Sequence, residues 1–139
     1  MKIFDIIPVP KPRMTRSDKW KKRKVVVDYF HFKDKLNFLA DEQGYKLTAI
    51  LDVVFYIPMP PSWSKKKRAQ MLGKPHQQTP DADNLMKAFK DCLAGIDGDG
   101  FVYDERSRKF WSEKGQIVVF EAPIVELNHV PAQTLIATE

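Results

Sequence analysis

Three carboxylates in this chain have the spacing of a divalent-metal site. Asp81 and Asp83 bracket Ala82 just ahead of a segment with helical periodicity, and Asp104 follows a Gly-containing turn and the short run Phe101-Val102-Tyr103. The turn into the helix must bring the first two acids together. A strand end beside a helix start is a place where a third acid can join them. Magnesium prefers hard oxygen ligands, taking a few carboxylates and leaving other positions to water and substrate phosphate. Clustered carboxylates oppose one another's ionisation, and a bound cation relieves that repulsion. The same cation acidifies bound water and neutralises phosphoryl oxygens, which is the chemistry of phosphodiester hydrolysis. Asp83, Lys87 and Asp91 recur at i, i+4 and i+8 and so share one helix face. Lys87 is thereby placed to orient the attacking water or stabilise a pentavalent transition state.

Each residue taken alone has a plainer reading. Asp83 can serve only as the N-cap of a helix over residues 84–94, and Lys87 with Asp91 only as a surface ion pair. Together, two carboxylates, Asn84 and a face-sharing lysine in a basic protein favour the metal. Other motifs fail. An EF-hand begun at Asp97 requires an oxygen ligand and then glycine where Phe101 and Val102 stand, and one begun at Asp81 meets Leu85 and Met86 there. The phosphate-binding Gly-x-x-x-x-Gly-Lys-Ser/Thr loop does not occur. Cys92 is the single cysteine, which excludes an intrachain disulfide and a thiolate zinc site, and His31, His76 and His129 lack ligand spacing. Cys92 falls on the apolar side of its helix and reads as a core thiol.

Charge distribution points to a polyanion. Net charge is +5, from 23 Lys and Arg against 18 Asp and Glu. Residues 11–24 hold eight basic side chains and one acid, Asp18, and a second run is Lys65-Lys66-Lys67-Arg68 with Lys74 close behind. Each phosphate that such residues neutralise releases condensed counterions. Lys11, Arg13, Arg16, Lys65, Lys66, Lys67 and Arg68 are therefore the expected nucleic-acid contacts, the plainer reading being two solvated loops. Trp20 and Trp63, in and beside these runs, add rings that could stack on unpaired bases.

These groups require elements to hold them. The 139 residues suffice for one domain with a substantial core, and 43% hydrophobic content is that of an ordinary globular chain. Apolar runs such as residues 117–120 are too short to span a bilayer, and the start Met1-Lys2-Ile3-Phe4-Asp5 has no secretory h-region. The expectation is a cytoplasmic, unprocessed protein. Residues 2–9 read as a strand stopped by prolines. Val25, Tyr29, Phe32, Leu36 and Leu39, widened by Val26 and Phe30, predict a helix over residues 24–42 ended by Gly44. Residues 47–57 predict a central strand. Ser64 caps a short basic helix to about residue 72, before Gly73. The helix after the paired acids buries Leu85, Met86, Phe89, Cys92 and Leu93. Residues 101–103, 106–112 and 117–122 read as strand pieces, and residues 130–139 as a C-terminal arm or tail.

The segment Pro80-Asp81-Ala82-Asp83-Asn84-Leu85-Met86-Lys87, with Asp91, Leu93, Gly95 and Asp104-Glu105 after it, resembles the RusA-type Holliday junction resolvases. So do Pro61-Ser62-Trp63-Ser64 with the basic run behind it, and Pro10-Lys11-Pro12-Arg13. The resemblance spans residues 7–120 in outline. It implies an α+β fold, a small mixed sheet flanked by helices in a single domain. It implies a homodimer that uses Mg2+ to nick two strands of a four-way junction symmetrically. Asp81, Asp83 and Asp104 would be metal ligands and Lys87 catalytic, with Asp91 and Glu105 supporting. The family commonly has Asp-Asp-Ser-Gln where this chain has Asp104-Glu105-Arg106-Ser107, which leaves the role of Glu105 open. Two other readings stand beside it: a non-catalytic basic DNA-binding module, and a magnesium nuclease acting on other branched nucleic acids.

Overall fold

The computed structural model describes residues 1–16 and 23–121. In chain order these form β1 (Lys2–Phe4), α1 (Lys24–Glu42), β2 (Ile50–Pro58), α2 (Lys65–Met71), α3 (Ala82–Leu93), β3 (Asp104–Ser112) and β4 (Gln116–Val119). The sheet order is β1-β4-β2-β3. β4 lies antiparallel to β1 and β2, whereas β2 and β3 are parallel, with α2 and α3 in the crossover between them. β3 is thus an edge strand, and the chain is a mixed-sheet α+β unit.

The core forms between one sheet face and the two longer helices. Along α1 the buried residues are Val26, Tyr29, Phe32, Leu36 and Ala40, one line at helical spacing. Val26, expected to widen that line, is buried in it, whereas Phe30 lies off its edge at 48% exposure and Val25, expected within the line, is 45% exposed in the first turn of the helix. Gly44, at φ 64°, ends the helix in the left-handed conformation that glycine adopts without strain. From the sheet, Leu51, Val53 and Phe55 of β2 join Leu85, Met86 and Phe89 of α3 in the same cluster. Phe89 is fully buried, with ring centroids 6.4 Å from Phe55 and 6.3 Å from Tyr45. Truncating such a ring to alanine costs about 3–5 kcal/mol, so the packing of α3 on β2 is a major holdfast.

Several expected elements are shorter. β1 ends at Phe4, where the Ile6 N–H turns back to donate to the Phe4 carbonyl at 3.0 Å. Residues 101–103 form no strand; the Val102 N–H instead closes a turn on the Asp99 carbonyl at 3.1 Å. β4 stops at Val119. The helix after the paired acids begins one residue before Asp83, so Asp81 is its N-cap and Asp83 lies in its first turn. The reason is local: the Asp81 carbonyl already accepts from Asn84 and Leu85 N–H groups at 3.1 Å each. Among the described residues no helix is long and apolar enough to cross a membrane. The expected arm at residues 130–139 lies outside the described residues.

Candidate active site

α3 carries the acids, and β3 sets what lies beside them. In a parallel pair, residues in register share a face. Leu51, Val53 and Phe55 of β2 face the helices, so their partners Glu105, Ser107 and Lys109 do too. Two contacts agree. Lys90 of α3 meets Glu105 at 2.8 Å, and Lys109 Nζ donates to the Pro80 carbonyl, next to Asp81, at 2.7 Å. The start of α3 therefore lies at Lys109 and its far end at Glu105, with helix and strand antiparallel.

Asp81 is exposed, and its side chain makes no cap hydrogen bond. Asp83 and Lys87 are exposed on the same helix. A negative charge in the first turn is favoured by the partial positive charge of the helix N-terminus. Burial pushes the Lys109 ammonium below its ordinary pKa, and the nearby Asp81 carboxylate opposes that. The structure thus brings Asp81, Asp83 and Lys87 to the first half of α3, with Lys109 beside them.

Asp104 is placed differently. The two-residue period of β3 turns it to the face opposite Glu105, the side on which Arg108 reaches Asp52 at 2.8 Å. It also precedes Lys109 by five residues, about 16 Å along a strand. The sequence alone leads one to expect Asp104 beside the start of α3; the residue of β3 found there is Lys109. Glu105 shares the α3 side but is engaged with Lys90. Among the described residues no three acids, histidines or cysteines gather to hold a metal ion. Magnesium is commonly held by only one or two carboxylates, with water and phosphate completing its shell. Asp81 and Asp83, exposed hard-oxygen donors, fit that requirement by their chemistry.

Asp91 has a different environment. Its Oδ2 accepts from the Tyr29 hydroxyl at 2.5 Å and its Oδ1 from Lys11 Nζ at 3.2 Å. Burial acts to raise the Asp91 pKa, but the Tyr29 and Lys11 hydrogen bonds, with the charges of Lys11 and Lys33, hold it below the usual carboxylate value. Burial, and then the bond to Asp91, push the Tyr29 hydroxyl far up. Asp91 thus fastens α1 and the basic N-terminal segment to α3.

The basic residues divide similarly. Lys65, Lys66 and Lys67 are exposed on α2, which Ser64 caps by accepting from the Lys67 N–H at 3.2 Å. Arg68 donates to the Pro60 carbonyl at 2.9 Å and pairs with Glu113 at 3.1 Å. Lys11 is committed to Asp91, while Arg13 and Arg16 are exposed. Trp63 does not stand free for a base. The Lys67 ammonium lies 4.3 Å over its ring, and the ring of Trp111 is 4.7 Å away, so it seats α2 on β3. The His76 ring also packs on Trp111, with centroids 4.2 Å apart, and burial, followed by the charge of Lys109, keeps its pKa low. Trp20 lies outside the described residues.

Sequence reasoning misses Lys109 and the second role of Tyr29. Lys109 carries no local signal, since its partner carbonyl belongs to a residue 29 positions earlier. Tyr29 reads as a core ring, and its hydroxyl finds Asp91 across 62 positions. The family model for endodeoxyribonuclease RusA matches residues 4–120. No curated protein matches the chain.

Proposed function

The chain belongs to the RusA endodeoxyribonuclease family, and from that premise we propose that it is a magnesium-dependent nuclease that resolves Holliday junctions by paired symmetric nicks, in DNA recombination and repair. The family indicates endodeoxyribonuclease activity and nucleases that are generally metal-dependent. The observation that supports the metal in this reading is the state of Asp81 and Asp83. Both are exposed at one helix start in a basic protein, and the helix does not engage the Asp81 side chain.

In this reading Asp81 and Asp83 hold the metal. Magnesium, when bound, would acidify an attacking water and offset charge on the scissile phosphate. Lys87, one turn along, orients that water or stabilises developing negative charge. The exposed lysines of α2 track phosphates. That they flank the acids is supported by Trp111, on which Trp63 seats α2, lying on the same strand face as Lys109 and two residues beyond it. Asp104 enters as a third ligand through the family resemblance and not through the geometry. A homodimer supplies the second active site, because a two-fold assembly matches a nearly two-fold junction. The setting is the cytoplasm of a bacterial or phage-infected cell.

A synthetic four-way junction with and without magnesium tests this directly. Symmetric nicks that require the metal are expected, and sedimentation should show a dimer at micromolar concentration. Intact junctions under all conditions would favour a non-catalytic DNA-binding module, and preferential cutting of flaps would point to other branched substrates.

A further inference from the structure

Among the described residues, Lys109 is the side chain that reaches from the sheet to the segment immediately before the paired acids. It is half-buried on the helix-facing side of β3, and its Nζ donates to two backbone carbonyls, those of Gln78 and of Pro80. The peptide unit carrying the second carbonyl leads directly into Asp81, the N-cap of α3. The strand around it is fixed from both directions. The His76 N–H donates to the Lys109 carbonyl at 3.1 Å, and Trp111 exchanges bonds with the 73–74 segment at 2.9 Å. The 73–80 segment is therefore stitched to β3 by its backbone at one end and by the Lys109 ammonium at the other. The Asp81 side chain has no cap hydrogen bond of its own to fix it. Its placement then depends on the backbone behind it, and that backbone is held by Lys109.

We infer that Lys109 is a positioning residue of the nuclease site, fixing the Asp81 carboxylate by clamping the Gln78 and Pro80 carbonyls. The inference rests on the metal-nuclease reading of Asp81 and Asp83. The long aliphatic stem spans from the strand to the loop, and the ammonium supplies more than one donor, as two carbonyls require. Glutamate, aspartate or an apolar residue at 109 could not donate to either. Arginine could, since its guanidinium is a multiple donor that stays charged. The bonds are worth more to catalysis than to stability. They lie at a partly exposed edge, whereas a carboxylate displaced by about 1 Å can cost roughly a hundredfold in rate.

The test compares wild type, Lys109→Met and Lys109→Arg in three measurements. Hydrogen exchange on the metal-free proteins, read over residues 77–85, reports the clamp itself. Mn2+ titration followed by electron paramagnetic resonance reports the ligand site. Single-turnover cleavage of a four-way junction, with junction Kd measured in Ca2+, separates chemistry from binding. In Lys109→Met we expect faster exchange over residues 77–85, at least several-fold weaker Mn2+ binding, and cleavage slower by roughly ten- to a hundredfold with junction Kd within about twofold. Lys109→Arg should restore all three. Lys109→Met that exchanges, binds Mn2+ and cleaves as wild type does would overturn the inference, and so would a cleavage defect that Lys109→Arg fails to rescue. If wild type neither binds Mn2+ nor cuts, the metal-nuclease reading falls instead. The exchange measurement then still decides whether Lys109 fixes the approach to Asp81.

Discussion

Along α3 two carboxylates eight residues apart have opposite surroundings. Asp91, in the second half, has each oxygen occupied, one by a buried tyrosine hydroxyl and one by a lysine. Asp83, in the first turn, is exposed to solvent. The spacing is that of one helix face, and in sequence the two acids look alike. What separates them is what each meets: Tyr29 and Asn37 of α1 bond Asp91 and the neighbouring Cys92 carbonyl, whereas Asp83 faces solvent. An acid with both oxygens engaged serves the architecture. An acid left open in a basic protein is available to a cation.

The sharpest way to break this contrast is Asp83→Asn. It keeps shape and removes a charge, at a stability cost of about 0.3–1 kcal/mol from the helix N-terminus. Cleavage should fall on the order of a thousandfold while junction binding persists or tightens, as read by gel cleavage and by Kd in Ca2+. Cutting at the wild-type rate would remove Asp83 from the site. Asp104→Asn comes next. A loss of on the order of a hundredfold is expected if Asp104 is a ligand as the family resemblance implies. Unchanged cleavage, with Glu105→Gln impaired, would instead make the acid on the α3 side of β3 the partner of Asp81 and Asp83.

Asp91→Ala tests the opposite pole. It removes the carboxylate acceptor of the buried Tyr29 hydroxyl and leaves it only the weak acceptor Cys92, and we expect a loss of about 1–2 kcal/mol in urea unfolding, kept low because Asp91 is itself partly solvent-screened. Cleavage per folded molecule should change much less than in Asp83→Asn; an equal loss would place Asp91 in the chemistry. Acid unfolding should show the same division. Because Asp91 is held below the carboxylate value of 3.8, its contribution is present above that pH and is lost as pH falls through its depressed pKa. His76 is likewise held below 6.5, so its neutral form stabilises the fold above that pH and its protonation erodes stability below. Asp91→Asn should remove the lower step and His76→Phe the upper one, measured as ΔG against pH. A ΔG that rises on acidification would contradict both. The smallest effect concerns α2. Charge reversal at Lys66 and Lys67 should flatten the dependence of log Kd on log salt by roughly 0.9 for each phosphate that is no longer neutralised, and an unchanged slope would remove these lysines from the DNA path.

Much of the fold can be read in the chain itself. The α1 boundaries at Lys24 and Glu42, the Ser64 cap of α2 and the buried stripe of α3 follow from periodicity and capping residues, because a helix repeats its environment every few positions. The short strands are less legible. β1 and β4 have only 3 and 4 residues, too few to distinguish alternation from a turn. Either aspartate suits the N-cap of α3 chemically, so residue type alone points as well to Asp83; backbone geometry gives the role to Asp81.

The acids, their shared helix face, the basic runs and, through their joint spacing, the family are legible in the chain alone. These are local properties, set by residue type and by offsets within one element. Which acid is occupied and which is open depends on packing between elements. So do the turning of Asp104 and Glu105 to opposite faces of β3, and the placing of Lys109 beside the segment that leads into Asp81. The reason is that a strand pairing reverses side-chain facing with a one-residue shift, which sets the Lys109 contact across 29 positions, while the Tyr29 contact across 62 positions depends on how α1 packs on α3. No feature of the neighbouring residues encodes it.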